Sequence, residues 1–131
     1  MKYLQLALLL FTIFGCSNND QKPSTTPEAP QSAAAAQLEE GEHLFKINCA
    51  QCHMPAKDFA APALAAVEKR WANKSLLYEF VRNSQEVIKK DKYAADLFEK
   101  WKQAPMLPFE DLTNAEIDAI FAYCNSVAPR Q

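Results

Sequence analysis

The chain has 131 residues, of which 49% are hydrophobic and 23% are charged, a balance typical of one globular domain. The formal net charge is −2, so nothing in the composition indicates binding to nucleic acid. Only two glycines are present, and glycine-bearing hairpin turns between alternating β-branched runs are absent, which argues against an all-β fold.

The first fifteen residues are typical of an export signal. After Lys2, residues 3–15 form a mostly apolar segment that is shorter than the roughly 20 residues of a membrane-spanning helix. The sequence "IFGC" that ends at Cys16 resembles the lipobox of bacterial lipoproteins. This resemblance implies that residues 1–15 are removed and that Cys16 becomes the lipid-modified first residue. An ordinary secretory signal and a retained N-terminal anchor are the alternatives.

Residues 16–37 change character sharply. After Cys16 they carry no bulky apolar side chain and are rich in Ser, Thr, Pro, Ala, Asn and Gln. Such a segment cannot bury enough apolar surface to offset the entropy lost on ordering, so we predict a disordered tether. From Ala33 onward the segment could instead begin the first helix. A folded domain over residues 38–131 would follow, held close to a membrane.

Helical periodicity runs through this domain. The apolar pattern predicts helices over residues 38–48, 74–90 and 92–103. A last helix should begin after Thr113, because Glu116 three residues later completes a capping box. We therefore predict an all-α fold of several short helices.

Two segments with prolines interrupt the helices. Residues 54–72 contain Pro55 and Pro62, and we expect a loop there with at most a short helical turn. Pro105 and Pro108 break the chain again before the last helix.

The segment "KINCAQCHMP", residues 46–55, carries the most informative chemistry. Its Cys-x-x-Cys-His pattern is the signature of c-type haem attachment, and here it follows an export signal and a predicted helix. A structural zinc site would need four tetrahedral ligands, and the only further candidates, His43 and Cys124, have no known finger spacing. A thioredoxin-like dithiol would need a βαβ context. A Cys49–Cys52 disulfide, which would close a very small loop, is the remaining alternative.

Residues 38–127 resemble a class I cytochrome c domain. The stretch "GEHLFKINCAQCHMP" is similar to the family's N-terminal helix and haem-binding motif. The stretch "PMLPFEDLTNAEIDAIFAYCNSV" is similar to its axial-methionine loop and C-terminal helix. The resemblance implies a cytochrome c-like fold of several short helices around one covalently bound haem. It also places Tyr123 against a surface formed by Gly41 and Phe45.

The resemblance assigns the cofactor, haem c with its iron, to four residues. Cys49 and Cys52 would bond covalently to the haem, His53 would bind the iron, and Met106 would be the second axial ligand. The other methionines are poor candidates for that second position, since Met1 would be removed and Met54 is adjacent to His53. His43 as the second ligand and a purely core role for Met106 are the alternatives.

The resemblance also implies supporting contacts around the haem. The Pro62 carbonyl would accept a hydrogen bond from His53, a contact that fixes the orientation of a metal-binding imidazole. Leu64 would pack on the haem. Trp71 or Tyr78 could donate to a haem propionate, although packing is an equally good explanation for each.

The predicted function is one-electron transfer by a membrane-tethered cytochrome c between respiratory or other exported redox partners. Catalysis is not expected, because both axial positions of the iron would be filled. The alternatives are a haem-based sensor or ligand-binding domain, and a Cys-x-x-Cys maturation or assembly lipoprotein. We expect a monomer in the periplasm or cell envelope, anchored by lipid on Cys16, with Ser17 favouring the outer membrane. Cys124 is expected to be a small buried hydrophobic residue.

Overall fold

The computed structural model describes residues 30–129. Within that range the chain forms only helices and loops, so the all-α prediction is confirmed for the described residues. The helices are α1 (Pro30–Asn48), α2 (Lys74–Arg82), α3 (Ser84–Ile88), α4 (Lys92–Lys100) and α5 (Asn114–Val127), with a short 3₁₀ helix at Val67–Arg70. None of these helices combines the length and apolar character of a membrane span. The predicted signal peptide and Cys16 lie outside the described residues.

The long helices α1 and α5 pack against each other at Gly41. A side chain at this position would overlap the carbonyl oxygen of Ala119, and its Cβ would lie 3.1 Å from the Cβ of Tyr123. One turn further along α1, the buried ring of Phe45 lies 5.7 Å from the ring of Tyr123. The contact that was expected between Tyr123 and the Gly41–Phe45 surface is therefore present.

The first helix begins at Pro30, earlier than the expected start at Leu38. Residues 33–36 are four alanines, which have the highest helix propensity. Proline is tolerated in a first turn because its missing N–H would lack a partner there anyway. The helix therefore includes the end of the segment assigned to the tether, while residues 16–29 lie outside the described part of the chain.

The helix predicted over residues 74–90 is divided in two by Asn83. This residue has φ −154° and ψ 85°, so it leaves the helical conformation. Its N–H donates to the Glu79 carbonyl and closes α2, while its side chain accepts from the Glu86 N–H and opens α3. Asparagine favours such caps because its side chain competes with the helical backbone for hydrogen bonds. The apolar pattern gives no indication of the helix break at Asn83, because Leu77 and Val87 on either side are both buried.

The helix predicted over residues 92–103 ends early, at Lys100. Lys102 and Gln103 both have a φ of 59°, in the left-handed region, and the Gln103 N–H donates to the Phe98 carbonyl over 2.8 Å. A left-handed residue that turns back to an earlier carbonyl is a common way to end a helix. The chain then enters the loop that carries Met106.

The start of the last helix is as predicted. The Glu116 N–H donates to the Thr113 side chain over 3.2 Å, and the Thr113 N–H donates to the Glu116 carboxylate over 2.7 Å. This capping box satisfies two donors that the helix itself cannot use. Residues 54–72 form the expected loop, with a helical turn at Val67–Arg70.

Candidate functional site

A cavity of about 320 Å³ opens between the helices, and side chains from both proline-bearing loops reach it. Most of its wall is apolar and comes from the core of the protein, including Leu64, Val67, Trp71, Leu77, Ile117 and Ile120. A cleft of this kind, with a few polar groups on an apolar wall, is typical of cofactor and ligand sites.

Cys49, Cys52 and His53 all line this cavity. They follow α1 in a tight turn, because the N–H groups of Cys52 and His53 both donate to the Cys49 carbonyl, over 3.1 and 2.9 Å. Cys49 is half-buried, Cys52 is exposed, and both are free thiols. Three side chains from one turn can therefore engage a single group inside the cavity.

The environment of Cys49 is unsuited to a reactive dithiol. Burial, with a smaller contribution from Cys52, raises the pKa of Cys49 to about 11. The thiolate is the form that attacks disulfides and binds zinc, and redox-active cysteines usually have lowered pKa values. Within residues 30–129, no three His, Cys, Asp or Glu side chains lie close enough to share a metal ion.

The imidazole of His53 is held in one orientation by Pro62. Its Nδ1 donates to the Pro62 carbonyl over 2.7 Å, which is the hydrogen bond expected between these groups. Burial lowers the pKa of His53, the Pro62 contact opposes this shift, and the nearby Arg70 charge adds to it. The imidazole is therefore favoured in its neutral form with Nε2 unprotonated, which is the form that binds a metal.

Met106 reaches the same cavity from the second loop. Of the two methionines in the described residues, Met54 is not among the cavity-lining side chains. His43 is exposed on α1 and does not line the cavity either. Pro62 and Leu64 are part of the wall. The residues predicted for the site from the two separate motifs are thus brought together in one place.

Trp71 and Tyr78, the two candidate hydrogen-bond donors to a haem propionate, differ in position. Trp71 lines the cavity, whereas Tyr78 does not and donates its hydroxyl to Asp118 over 2.7 Å. Cys124 also lies away from the cavity, with 0% of its surface exposed, as expected for a buried hydrophobic residue. Burial raises the pKa of its thiol to about 12.

The sequence gives no indication of two polar groups in the cavity wall that bear on the site, on Trp101 and Ser84. The Nε1–H of Trp101 is buried and has no hydrogen-bond partner among the described residues. The hydroxyl of Ser84, which is 1% exposed, donates to the Met106 carbonyl over 3.1 Å. In the sequence both residues belong to the apolar faces of predicted helices, so no local signal distinguishes them from core residues.

The chemistry of the wall fits a large, mostly apolar metal complex that carries hydrogen-bond acceptors. The apolar side chains can cover its faces, and His53 and Met106 offer the nitrogen and sulfur atoms that bind haem iron. An unpaired buried N–H costs roughly 1–3 kcal/mol, so an acceptor on the bound group would relieve this cost at Trp101.

Comparisons with known proteins agree with this description. The family model for cytochrome c matches residues 38–128. A solved structure, the cytochrome c from Rhodothermus marinus, is 24% identical and superposes with a TM-score of 0.58, covering 81% of this chain and 89% of that one. The search of curated proteins gave no significant match. The cytochrome c-like fold predicted from the sequence is therefore confirmed.

A second solved structure is an engineered variant from the same organism, described as bound to a carbene intermediate. It is also 24% identical, has a TM-score of 0.57, and covers 81% of this chain and 89% of its own. At this level of identity, the likeness to both structures concerns the fold alone.

Proposed function

Since the match over residues 38–128 shows that the chain belongs to the cytochrome c family, we propose that it transfers single electrons between exported redox proteins while a lipid holds it at a membrane. Members of the family typically carry electrons and are not enzymes. Their cofactor is haem c, bound covalently with its iron, and this is the cofactor of the chain. When bound, the haem supplies the one-electron redox chemistry.

The observation that carries the proposal is the meeting of four side chains in one apolar cavity: Cys49, Cys52, His53 and Met106. The two cysteines would hold the haem through covalent bonds. His53 would bind the iron through Nε2, with its ring fixed by the Pro62 carbonyl. Met106 would bind the iron through its sulfur atom. A His/Met ligand pair raises the reduction potential of haem iron relative to other axial pairs.

The remaining residues of the cavity wall would orient the haem and keep water away from it. Leu64 would pack on its surface, and the unpaired Nε1–H of Trp101 would donate to one of its carboxylates. Trp71 lines the same cavity and is a second candidate donor. A mostly apolar wall lowers the local dielectric, and it also excludes water that could compete for the iron.

The proposed membrane attachment depends on Cys16. In a bacterial lipoprotein this residue would carry the lipid, and residues 17–29 would connect it to α1. A tether of the kind predicted from the composition would keep the domain near the membrane surface. We propose a monomer in the periplasm or cell envelope, anchored in the outer membrane.

A spectrum of the protein exported with the c-type maturation machinery tests this proposal. We expect sharp α and Soret bands after reduction and a weak band near 700 nm after oxidation, which is typical of methionine ligation in this family. Haem without the methionine band would favour the sensor alternative. Absence of covalent haem despite competent maturation would contradict electron transfer and return Cys49 and Cys52 to the maturation hypothesis.

A further inference from the structure

The loop that carries Met106 is fastened to the junction between α2 and α3. Three hydrogen bonds join the two: Ser84 Oγ to the Met106 carbonyl (3.1 Å), the Phe109 N–H to the Arg82 carbonyl (3.1 Å), and Arg82 Nε to the Leu112 carbonyl (2.8 Å). A fourth bond, from Arg82 Nη2, goes to the side chain of Asn114 at the start of α5. Two consecutive parts of the loop are thus tied to residues on either side of Asn83.

The bond from Ser84 is the one closest to the methionine side chain. Ser84 is the buried polar side chain among the described residues, and its hydroxyl lies beside the apolar wall of the cavity. Burying a hydroxyl is unfavourable unless it is hydrogen-bonded, and here the acceptor is the Met106 carbonyl itself. A hydroxyl is therefore present at a position where alanine would otherwise suit the surroundings.

Arg82 fixes the other side of the loop. Its backbone accepts from Phe109, while its half-buried guanidinium donates to Leu112 and to Asn114 at the start of α5. Guanidinium groups donate in a rigid, planar geometry, so one arginine can hold two acceptors in fixed positions. The loop is consequently held between α2 and α5 as well as at Met106.

The residues that flank Met106 offer few backbone donors of their own. Pro105 and Pro108 have no N–H to donate, and Leu107 between them is 69% exposed. Among the described residues, the hydrogen bonds that connect Met106 and the residues after it to α2 and α3 are those of Ser84 and Arg82.

We propose that Ser84 and Arg82 are positioning residues that hold Met106 at the iron and set how often it leaves. The inference rests on the proposed function, because it requires Met106 to be an iron ligand. Departure of the methionine would free the sixth coordination site for an added ligand. The two residues would therefore determine how far this site resists ligands from solution.

Imidazole binding to the oxidised holoprotein measures this resistance. Imidazole can occupy the sixth site only when Met106 has left, so its apparent dissociation constant is the intrinsic constant divided by the open fraction. Loss of one ordinary hydrogen bond should raise that fraction about fivefold. We expect Ser84→Ala to tighten apparent imidazole binding about fivefold, and Arg82→Gln to tighten it at least as much.

A matched control is Ser126→Ala, which removes a serine hydroxyl that donates to the Tyr123 carbonyl over 2.8 Å on the exposed side of α5. We expect its apparent imidazole affinity to stay within about twofold of the wild type. Covalent haem content and far-UV circular dichroism identify any variant that fails to fold. Ser84→Ala removes the hydrogen bond to the Met106 carbonyl, and Arg82→Gln removes the guanidinium contacts, so the two variants test the two parts of the loop attachment separately.

The variant Met106→Leu separates failure of this inference from failure of the proposed function. If the wild type shows no methionine band and Met106→Leu binds imidazole no more tightly, Met106 is not a ligand, and both proposals fail. If Met106→Leu binds much more tightly while Ser84→Ala and Arg82→Gln both resemble the wild type, the positioning inference alone is overturned.

Discussion

Gly41 of α1 and Ala119 of α5 lie in backbone contact, so close that a side chain on Gly41 would overlap the Ala119 carbonyl oxygen. The obstructing atom belongs to the backbone of a helix and cannot rotate away. This contact sets the distance between the two longest helices, and α1 delivers Cys49, Cys52 and His53 directly from its C-terminal end. Because residue 41 has no side chain, α1 can pack close to α5, and this packing fixes where Cys49, Cys52 and His53 lie.

We expect Gly41→Ala to destabilise the folded protein by about 3 kcal/mol, the upper part of the usual range for overpacking. Helix propensity alone predicts the opposite, a gain of about 1 kcal/mol for alanine over glycine. Denaturant unfolding of the holoprotein measures the difference. The control Glu40→Ala changes the neighbouring exposed residue of α1 and should alter the free energy of unfolding by less than about 0.5 kcal/mol. Increased stability of Gly41→Ala would show that the helices can separate at little cost.

The parts of the fold that the sequence predicts are those with local signals. The capping box of Thr113 and Glu116 is a pattern of two side chains three residues apart, and it forms as expected. The Cys-x-x-Cys-His segment leaves α1 in one turn, so its three functional side chains stay together whatever the rest of the chain does. The resemblance to cytochrome c then supplied the partner loop that residue spacing alone could not place.

The parts that the sequence did not predict depend on contacts between distant segments. Asn83 ends one helix and starts another, but a helical pattern of apolar residues continues through it. Ser84 and Trp101 belong to apolar faces of the predicted helices. Only the assembled cavity shows that Ser84 donates to the Met106 carbonyl and that the Nε1–H of Trp101 lacks a partner in the described part of the chain. A single sequence contains no local mark of either property.

The capping box predicts a pH-dependent contribution to stability. Hydrogen bonds from the Thr113 N–H and hydroxyl lower the pKa of Glu116 below its usual value of 4.5. A carboxylate whose pKa is lowered by folding contributes stability above its unfolded pKa and loses it as the pH falls through its folded pKa. We therefore expect Glu116→Gln to be less stable than the wild type near neutral pH, and the difference to vanish in acid below the folded pKa.

Urea unfolding at a series of pH values measures this difference directly, because other titrating groups contribute equally to both proteins. The exposed carboxylate of Glu110, in the loop before α5, provides the control. Glu110→Gln should show only a small difference from the wild type at every pH. A constant deficit of Glu116→Gln from neutral pH to strong acid would mean that the charge of Glu116 has no part in the cap.

The backbone conformation of Ala66 predicts that glycine at this position stabilises the protein. Its φ of 55° and ψ of 22° lie in the left-handed region, which costs an alanine roughly 1–2 kcal/mol and a glycine almost nothing. Glycine loses more backbone entropy on folding, which offsets part of this gain. We expect Ala66→Gly to raise the free energy of unfolding by about 0.5 kcal/mol, measured by thermal or denaturant unfolding.

The adjacent Ala65 is the matched control for this substitution, since it is not among the residues with positive φ. Ala65→Gly carries the same entropic cost without relief of strain, so it should lower stability by about 0.5–1 kcal/mol. Equal losses for both variants would indicate that the Ala66 conformation stores no strain that glycine can relieve.

We expect the thiol of Cys124 to be unreactive in the folded holoprotein. In the proposed holoprotein, haem attachment would consume the thiols of Cys49 and Cys52, while Cys124 is 0% exposed with its pKa raised to about 12, mainly by burial. Reaction with a disulfide reagent requires both access and the thiolate form. At pH 8 we expect Cys124 to react only after denaturation, when the wild type should release one more thiol equivalent than Cys124→Ala. Rapid labelling of the native wild type, absent in Cys124→Ala, would mean that α5 opens readily and that its packing on α1 is weaker than the Gly41 contact indicates.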